Sequence, residues 1–163
     1  MSDAIALLAE RAAVADAVTA YTNTIDTRDW ALMRTQLTPV VHIDYSSMGS
    51  LAGDMPAEAW IARLQSLHGF DATLHNICNL VVSVNGDRAT CTSHVNAYHY
   101  LEDGGEELQA FANGTYIHEL VRVHGHWLVC KAVFKMAGMQ SGKAMFARAF
   151  ARARELAPQR MKG

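Results

Sequence analysis

Tyr21-Thr-Asn-Thr-Ile25-Asp26-Thr-Arg-Asp-Trp30 is the stretch on which the fold turns. It closes a run from about Asp3 to Ile25 that contains no Gly or Pro, and in which Val14, Val18, Tyr21 and Ile25 recur at three- and four-residue spacing. That spacing puts one apolar stripe on a long helix laid against a core. Asp26 stands where this helix should end. Asp favours such boundaries for structural reasons alone, although Asp29 is better placed to cap a following helix. A carboxylate at that point gains chemical meaning if an imidazole can reach it, because an oriented imidazole is the minimal device for taking a proton from carbon or water. His75, on a later strand-like segment, is the candidate partner.

Outward from this stretch the chain reads as helices, then strands. A short second helix is expected from Arg28 to about Leu37, ended by Pro39, followed by a strand over Val40–Tyr45 and a loop at Met48–Gly53. Pro56 suits the first turn of a third helix, with Trp60, Ile61, Leu64 and Leu67 on one face and Gly69 just past its end. From Leu74 the texture changes. Leu74–Asn85 is rich in Ile, Val and Leu, and Asn85-Gly86 signals a two-residue hairpin to a partner at about Arg88–Leu101. After the turn Glu102–Gly105, Glu107–Val123 and His126–Met136 form a second hairpin around His124-Gly125. The tail, about 143–157, reads as a helix with Met145, Phe146, Ala149, Phe150 and Ala153 on one side, a lid over a pocket or a subunit contact; its Arg148, Arg152 and Arg154 form the polar side.

The class is therefore α+β, a single domain. One long, strongly curved sheet of four to six strands cannot bury its concave face against itself. The N-terminal helices must cover it, which leaves a conical pocket between the first helix and a meandering antiparallel sheet.

Composition removes several function classes. Of 163 residues, 50% are hydrophobic and 18% charged, with a formal net charge of −2. A nucleic-acid binder would show a basic excess, and no apolar run is long enough to span a membrane. The N-terminal residues lack a signal-peptide pattern, and Cys78, Cys91 and Cys130 sit in apolar strand-like runs, so reduced, buried thiols and a cytoplasmic location are expected. Despite 8 histidines, no metal-ligand spacing occurs; His124-x-His126 straddles a turn. Phosphate-cradle and serine-hydrolase motifs are absent too. No metal and no cofactor are expected.

At the level of motifs, Tyr-x4-Asp-x3-Trp at a helix end, Ile43-Asp44-Tyr45, the Met-Pro-Ala-Glu helix start and the Leu74-His-Asn strand resemble the SnoaL-like families of the nuclear transport factor 2-like superfamily. The resemblance spans roughly residues 8 to 140 and is nearest to the branch of scytalone dehydratase, hexachlorocyclohexane dehydrochlorinase and bile acid dehydratase. It implies a cone-shaped α+β barrel with a mixed, mostly antiparallel sheet; that Asp26 orients His75, the general base; that Tyr45 helps polarise a substrate carbonyl through water; that His99 is a second pocket histidine; and that Tyr21 matches a tyrosine implicated in the bile acid enzyme. The departures are Ile25, where scytalone dehydratase has a tyrosine, and Gly114 and Tyr116, where it has serine and asparagine. Scytalone itself is therefore not the expected substrate.

Strand periodicity adds its own reading. Val95, Ala97, His99 and Leu101 share one face, mainly apolar, which points His99 inward; a hydrogen-bonded core histidine is the bland alternative. Tyr45 shares a face with Ile43, and Tyr116 with His118, so the last two are expected to shape the same cavity. In that scheme His75 removes a proton, Tyr45 steadies the substrate oxygen and His99 protonates a departing hydroxide. The expected reaction is a β-elimination or isomerisation of a small, largely apolar cyclic compound in a homodimer or homotrimer. Two readings stand beside it: a pocket that binds without chemistry, in which Asp26 and His75 stay apart, and a partner protein like the small subunit of ring-hydroxylating dioxygenases.

Overall fold

The computed structural model describes residues 2–162. Helix α1 spans Ser2–Thr27, and its buried stripe is the one read from the sequence: Val14, Val18, Tyr21 and Ile25 are at most 3% exposed. Burying each such side chain is worth about 1.5–3 kcal/mol, so the stripe fixes α1 on the sheet. Ile5, Leu7 and Leu8, nearer the start, stay exposed. Thr22 and Thr24 are buried with their hydroxyls satisfied inside the helix, donating to the Val18 and Tyr21 carbonyls at 2.9 and 2.6 Å.

The helix ends in a Schellman turn: Arg28 takes φ +57° and the Asp29 amide reaches back to the Thr24 carbonyl at 3.1 Å. Glycine is the usual occupant of that left-handed position. Arg28 is held there by its guanidinium, which donates to the carbonyls of Asp26, Leu67 and Phe70 at 3.0–3.3 Å. Asp29 then caps α2 (Trp30–Thr35), accepting from the Leu32 amide at 2.9 Å. The expected extension of α2 to Leu37 fails because Leu37 already belongs to β1 (Leu37–Asp44). Pro39 lies inside that strand, where the register with its neighbour slips and a missing amide costs least.

Part of the expected loop at 48–53 belongs to a short strand, β2 (Ala52–Pro56), antiparallel to β1. Pro56 is the N-cap of α3 (Ala57–Leu64) and not its first-turn residue, and a tight turn Gln65–Gly69 continues the helix. The remaining elements are β3 (Ala72–Asn85), β4 (Arg88–Asp103), β5 (Glu106–Val123), β6 (His126–Met139) and α4 (Lys143–Arg160). They form one mixed sheet in the order β2-β1-β6-β5-β4-β3, antiparallel at every pairing except β1 with β6. Asn85 pairs with Arg88, so the β3–β4 turn is Gly86-Asp87, one residue later than expected.

Register shifts fall between Cys78 and Val81, where Asn79 takes φ +54°, and after Asn113 and Glu119. Each such bulge bends and twists its strand, and together they curl the sheet into a cone around α1. α4 closes the open side. Its backbone approaches Gly69 so closely that a Cβ there would meet the Ala153 carbonyl oxygen at 1.8 Å, and Arg152–Asp103 and Arg160–Asp71 ion pairs of 2.9 and 2.8 Å pin it at its middle and its C-terminal end. Among the described residues no helix is long and apolar enough to cross a membrane. The three cysteines are free, but only Cys91 is buried; Cys78, on the outward side of edge strand β3, is exposed, against expectation.

Candidate active site

Where β3 crosses the end of α1, its period-two alternation turns Thr73 and His75 toward Asp26. The carboxylate accepts three hydrogen bonds: from His75 Nδ1 at 2.7 Å, from the His75 amide at 2.7 Å and from Thr73 Oγ1 at 2.9 Å. The His75 and Asp26 side chains are only 6% and 16% exposed. Burial alone would raise the Asp26 carboxyl, but the bonds from the His75 ring and amide and from Thr73 outweigh it and hold the group below its ordinary range. An ionised carboxylate can only accept, so Nδ1 carries a proton and, in the neutral ring, the lone pair falls on Nε2. Among the described residues Nε2 has no hydrogen-bond partner, and His75 lines a cavity of about 930 Å³.

Ile25, from the last turns of α1, and Ala97 and Ala112, from β4 and β5, form the cavity's inner surface. One wall is aromatic: Tyr45 lies 5.3 Å from Trp60 and 5.7 Å from Phe134, centroid to centroid, and Tyr116 lies 5.4 Å from Phe134. Phe146 and Phe150 of α4 cover it as a lid. Burial pushes the Tyr45 and Tyr116 hydroxyls above their ordinary pKa, so both remain O–H donors.

His99 faces inward as its alternation implies and lines the cavity, its ring edge-on to His75 at 5.3 Å. Its Nδ1 donates to the Ala110 carbonyl at 2.8 Å. Burial, aided by the neighbouring His75, lowers its pKa to about 3. The ring is therefore neutral with a lone pair on Nε2. With Nδ1–H given to the Ala110 carbonyl, Nε2 of this ring is placed to accept a hydrogen bond.

Two expected site residues stand behind the cavity. Tyr21 is buried, its hydroxyl accepting from Trp60 Nε1 at 2.9 Å, and so supports the aromatic wall from outside. His118 shares the face of Tyr116 but does not line the cavity: two residues along β5 the inner space is filled by Tyr21, whose ring packs edge-on at 5.5 Å. Among the described residues neither His118 nitrogen has a partner, nor has the Ser93 hydroxyl nearby on β4.

Thr73 was not singled out from the sequence, although its spacing of two from His75 on one strand was a usable signal. Arg28 offered none, since an arginine in a left-handed turn is invisible without coordinates. Phe134 sits opposite Tyr116 in the β5–β6 register, a pairing that depends on the intervening bulges. His124 and His126 are exposed at the turn, and among the described residues no three His, Cys, Asp or Glu groups could hold a metal ion.

A helix-capped, conical mixed sheet is the architecture of nuclear transport factor 2-like α+β proteins. A SnoaL-like domain model matches residues 6–133, and the chain belongs to that family. Among solved structures it is similar to the Kfla4162 protein of Kribbella flavida, at 28% identity over 87% of this chain and 99% of that one, with a TM-score of 0.79. A putative scytalone dehydratase of Novosphingobium aromaticivorans is 19% identical over 87% and 92% of the two chains, TM-score 0.74. A hexachlorocyclohexane dehydrochlorinase of Novosphingobium barchaimii is 19% identical over 82% and 90%, TM-score 0.65. The last two show the shared fold. No curated protein matches the sequence.

Proposed function

We propose that this protein is a cofactor-independent lyase or isomerase acting on a small, largely apolar cyclic compound, with Asp26 and His75 as its acid–base pair. The observation that carries the reading is the 2.7 Å bond from His75 Nδ1 to Asp26, with Nε2 left free beside a large cavity. A pocket that only bound its ligand would not need a buried charged carboxylate fixing one tautomer of an imidazole, and in that reading the two groups stay apart. Two solved neighbours carry the names of a dehydratase and a dehydrochlorinase, which suits elimination chemistry.

His75 Nε2 takes a proton from the carbon beside a carbonyl, and Asp26 stabilises the imidazolium that results. The Tyr45 or Tyr116 hydroxyl donates to the carbonyl oxygen as negative charge grows there. The electron pair forms a carbon–carbon double bond while the carbon–oxygen bond of a β-hydroxyl breaks. The imidazolium returns its proton to the departing hydroxide on the same face, giving water and the starting enzyme. If nothing leaves, the proton returns to another carbon and the outcome is isomerisation. Since His99 is neutral and donor-committed, His75 supplies both proton transfers.

The test is a screen of cyclic β-hydroxy ketones and β,γ-unsaturated ketones, read by the ultraviolet absorbance of the conjugated product. Turnover is expected to fall by about 10²–10⁴ in His75→Gln. Turnover that survives this substitution undiminished defeats the reading, as does a folded wild type inactive on the whole panel and unable to exchange α-protons for deuterium.

A further inference from the structure

The arginines of the lid helix are not equivalent. Arg148 is paired with Glu106 at 2.7 Å, Arg152 with Asp103 and Glu155 at 2.9 Å, and Arg160 with Asp71 at 2.8 Å. On the rest of the chain, Arg34 has Glu58 and Arg122 has Glu10, both at 2.7 Å. Arg154 of α4 and Arg63 of α3 have no ion pair or side-chain hydrogen bond among the described residues, and both line the cavity. Among the described residues no Asp or Glu lines it: Asp26 is screened behind His75.

Their place in the cavity is also particular. The lining residues that are exposed, such as Ser50, Ala62, Arg63, Ala147 and Arg154, mark its mouth, while Ile25, His99, Tyr116 and Phe134 are buried inside. Two guanidinium groups thus stand at the opening of a mostly apolar, carboxylate-free chamber. Arg63 lies in the last turn of α3, where any cation is favoured by the helix dipole. That accounts for Arg63 alone, because Arg154 stands well before the end of α4. An arginine fork matches the geometry of a carboxylate or phosphate, and such charge-assisted bonds are roughly twice as strong as neutral ones.

We infer that the ligand of this cavity is an amphiphile with an acidic group, its ring body on the aromatic wall and its carboxylate or other oxyanion held at the mouth by Arg63 and Arg154. This rests on the proposed use of the cavity as the substrate site and narrows the substrate class: anionic cyclic compounds are taken in preference to their neutral counterparts. The two arginines select and orient; they do not touch the reacting carbon.

Two fluorescent probes that differ by one charge test this by binding alone: anilinonaphthalene sulfonate and uncharged phenylnaphthylamine. Wild type should bind the sulfonate at least about tenfold more tightly. The double variant Arg63→Ala/Arg154→Ala should lose that preference while holding the neutral probe as before, and Arg148→Ala should change neither. Ala112→Trp, which fills the chamber, should expel both probes. Benzoate and phenyl phosphate, each displacing the sulfonate from wild type, then rank the two anion chemistries. Equal affinity for the probes in wild type, a preference that survives the double variant, sulfonate still bound in Ala112→Trp, or displacement by neither anion each overturn the inference. If His75→Gln leaves turnover intact while the double variant still loses its anion preference, the acid–base reading alone falls and this one stands.

Discussion

His75 on β3 and His118 on β5 both point into the concave side of one sheet, yet only the first has a nitrogen assigned. His75 gives Nδ1 to Asp26 at 2.7 Å and faces a cavity; His118 is fully buried with both nitrogens unpartnered. Residue type and strand face are the same. What differs is the part of α1 lying opposite: its polar end at one point, the ring of Tyr21 at the other. A histidine becomes a candidate base when a neighbour fixes its tautomer and leaves the other nitrogen in reach of a ligand. Without these, it is a packing residue carrying a polar cost.

The sharpest way to break the contrast is Asp26→Asn. The new amide can donate to Nδ1, moving the ring proton to Nε2 and removing the base, while shape is kept. Turnover on a substrate found by the screen is expected to drop by about 10²–10⁴, and nitrogen NMR of the imidazole should report the exchanged tautomer. His118→Leu should leave turnover near wild type. If the two substitutions damage turnover alike, the distinction between the histidines is wrong.

The next effect is on stability and has a definite sign. Burial lowers the His118 pKa from 6.5 to about 4. Between those values the unfolded chain binds more protons than the folded one, so stability rises with pH through the window. It is fully present above pH 6.5 and is lost as pH falls toward about 4. His99 acts in the same direction, down to about 3. The loss attributable to His118 is on the order of a few kcal/mol at most. Thermal melts across this range should show a smaller acid loss in His118→Leu than in wild type, whatever the change in packing does at neutral pH. An unchanged acid slope would mean that His118 is solvated or partnered after all.

These contrasts mark how far the sequence could be read. The stripe Val14–Ile25 and the alternation Val95–Leu101 are local patterns, set by burial on one face, and both appear in the structure as read. β2 was missed because a five-residue strand with a glycine carries too little periodicity, and α2 ran short because strand pairing claimed Leu37. In the site, alternation turned His99 inward but could not reveal that its Nδ1–H donates to the Ala110 carbonyl. It likewise put Tyr116 and His118 on one face without showing that α1 covers the second. Faces follow from spacing; partners follow from how elements cross, and no local pattern records that.

Thr73→Val gives the smallest and most discriminating change. Thr73 supplies one of the three donors to Asp26, and the two from His75 remain after its removal. The Thr73 hydroxyl helps hold the Asp26 carboxyl below its ordinary range, so its loss raises that pKa while burial continues to push upward. A single hydrogen bond of this kind is worth about 1 kcal/mol, which predicts a several-fold fall in turnover and an acid limb of the pH–rate profile moved to higher pH. A loss as deep as that of Asp26→Asn would place Thr73 against the substrate itself. No change in rate or profile would show that His75, through its ring and its own backbone amide, is enough to hold the carboxylate, and the polar wall would then need one fewer part than the geometry assigns it.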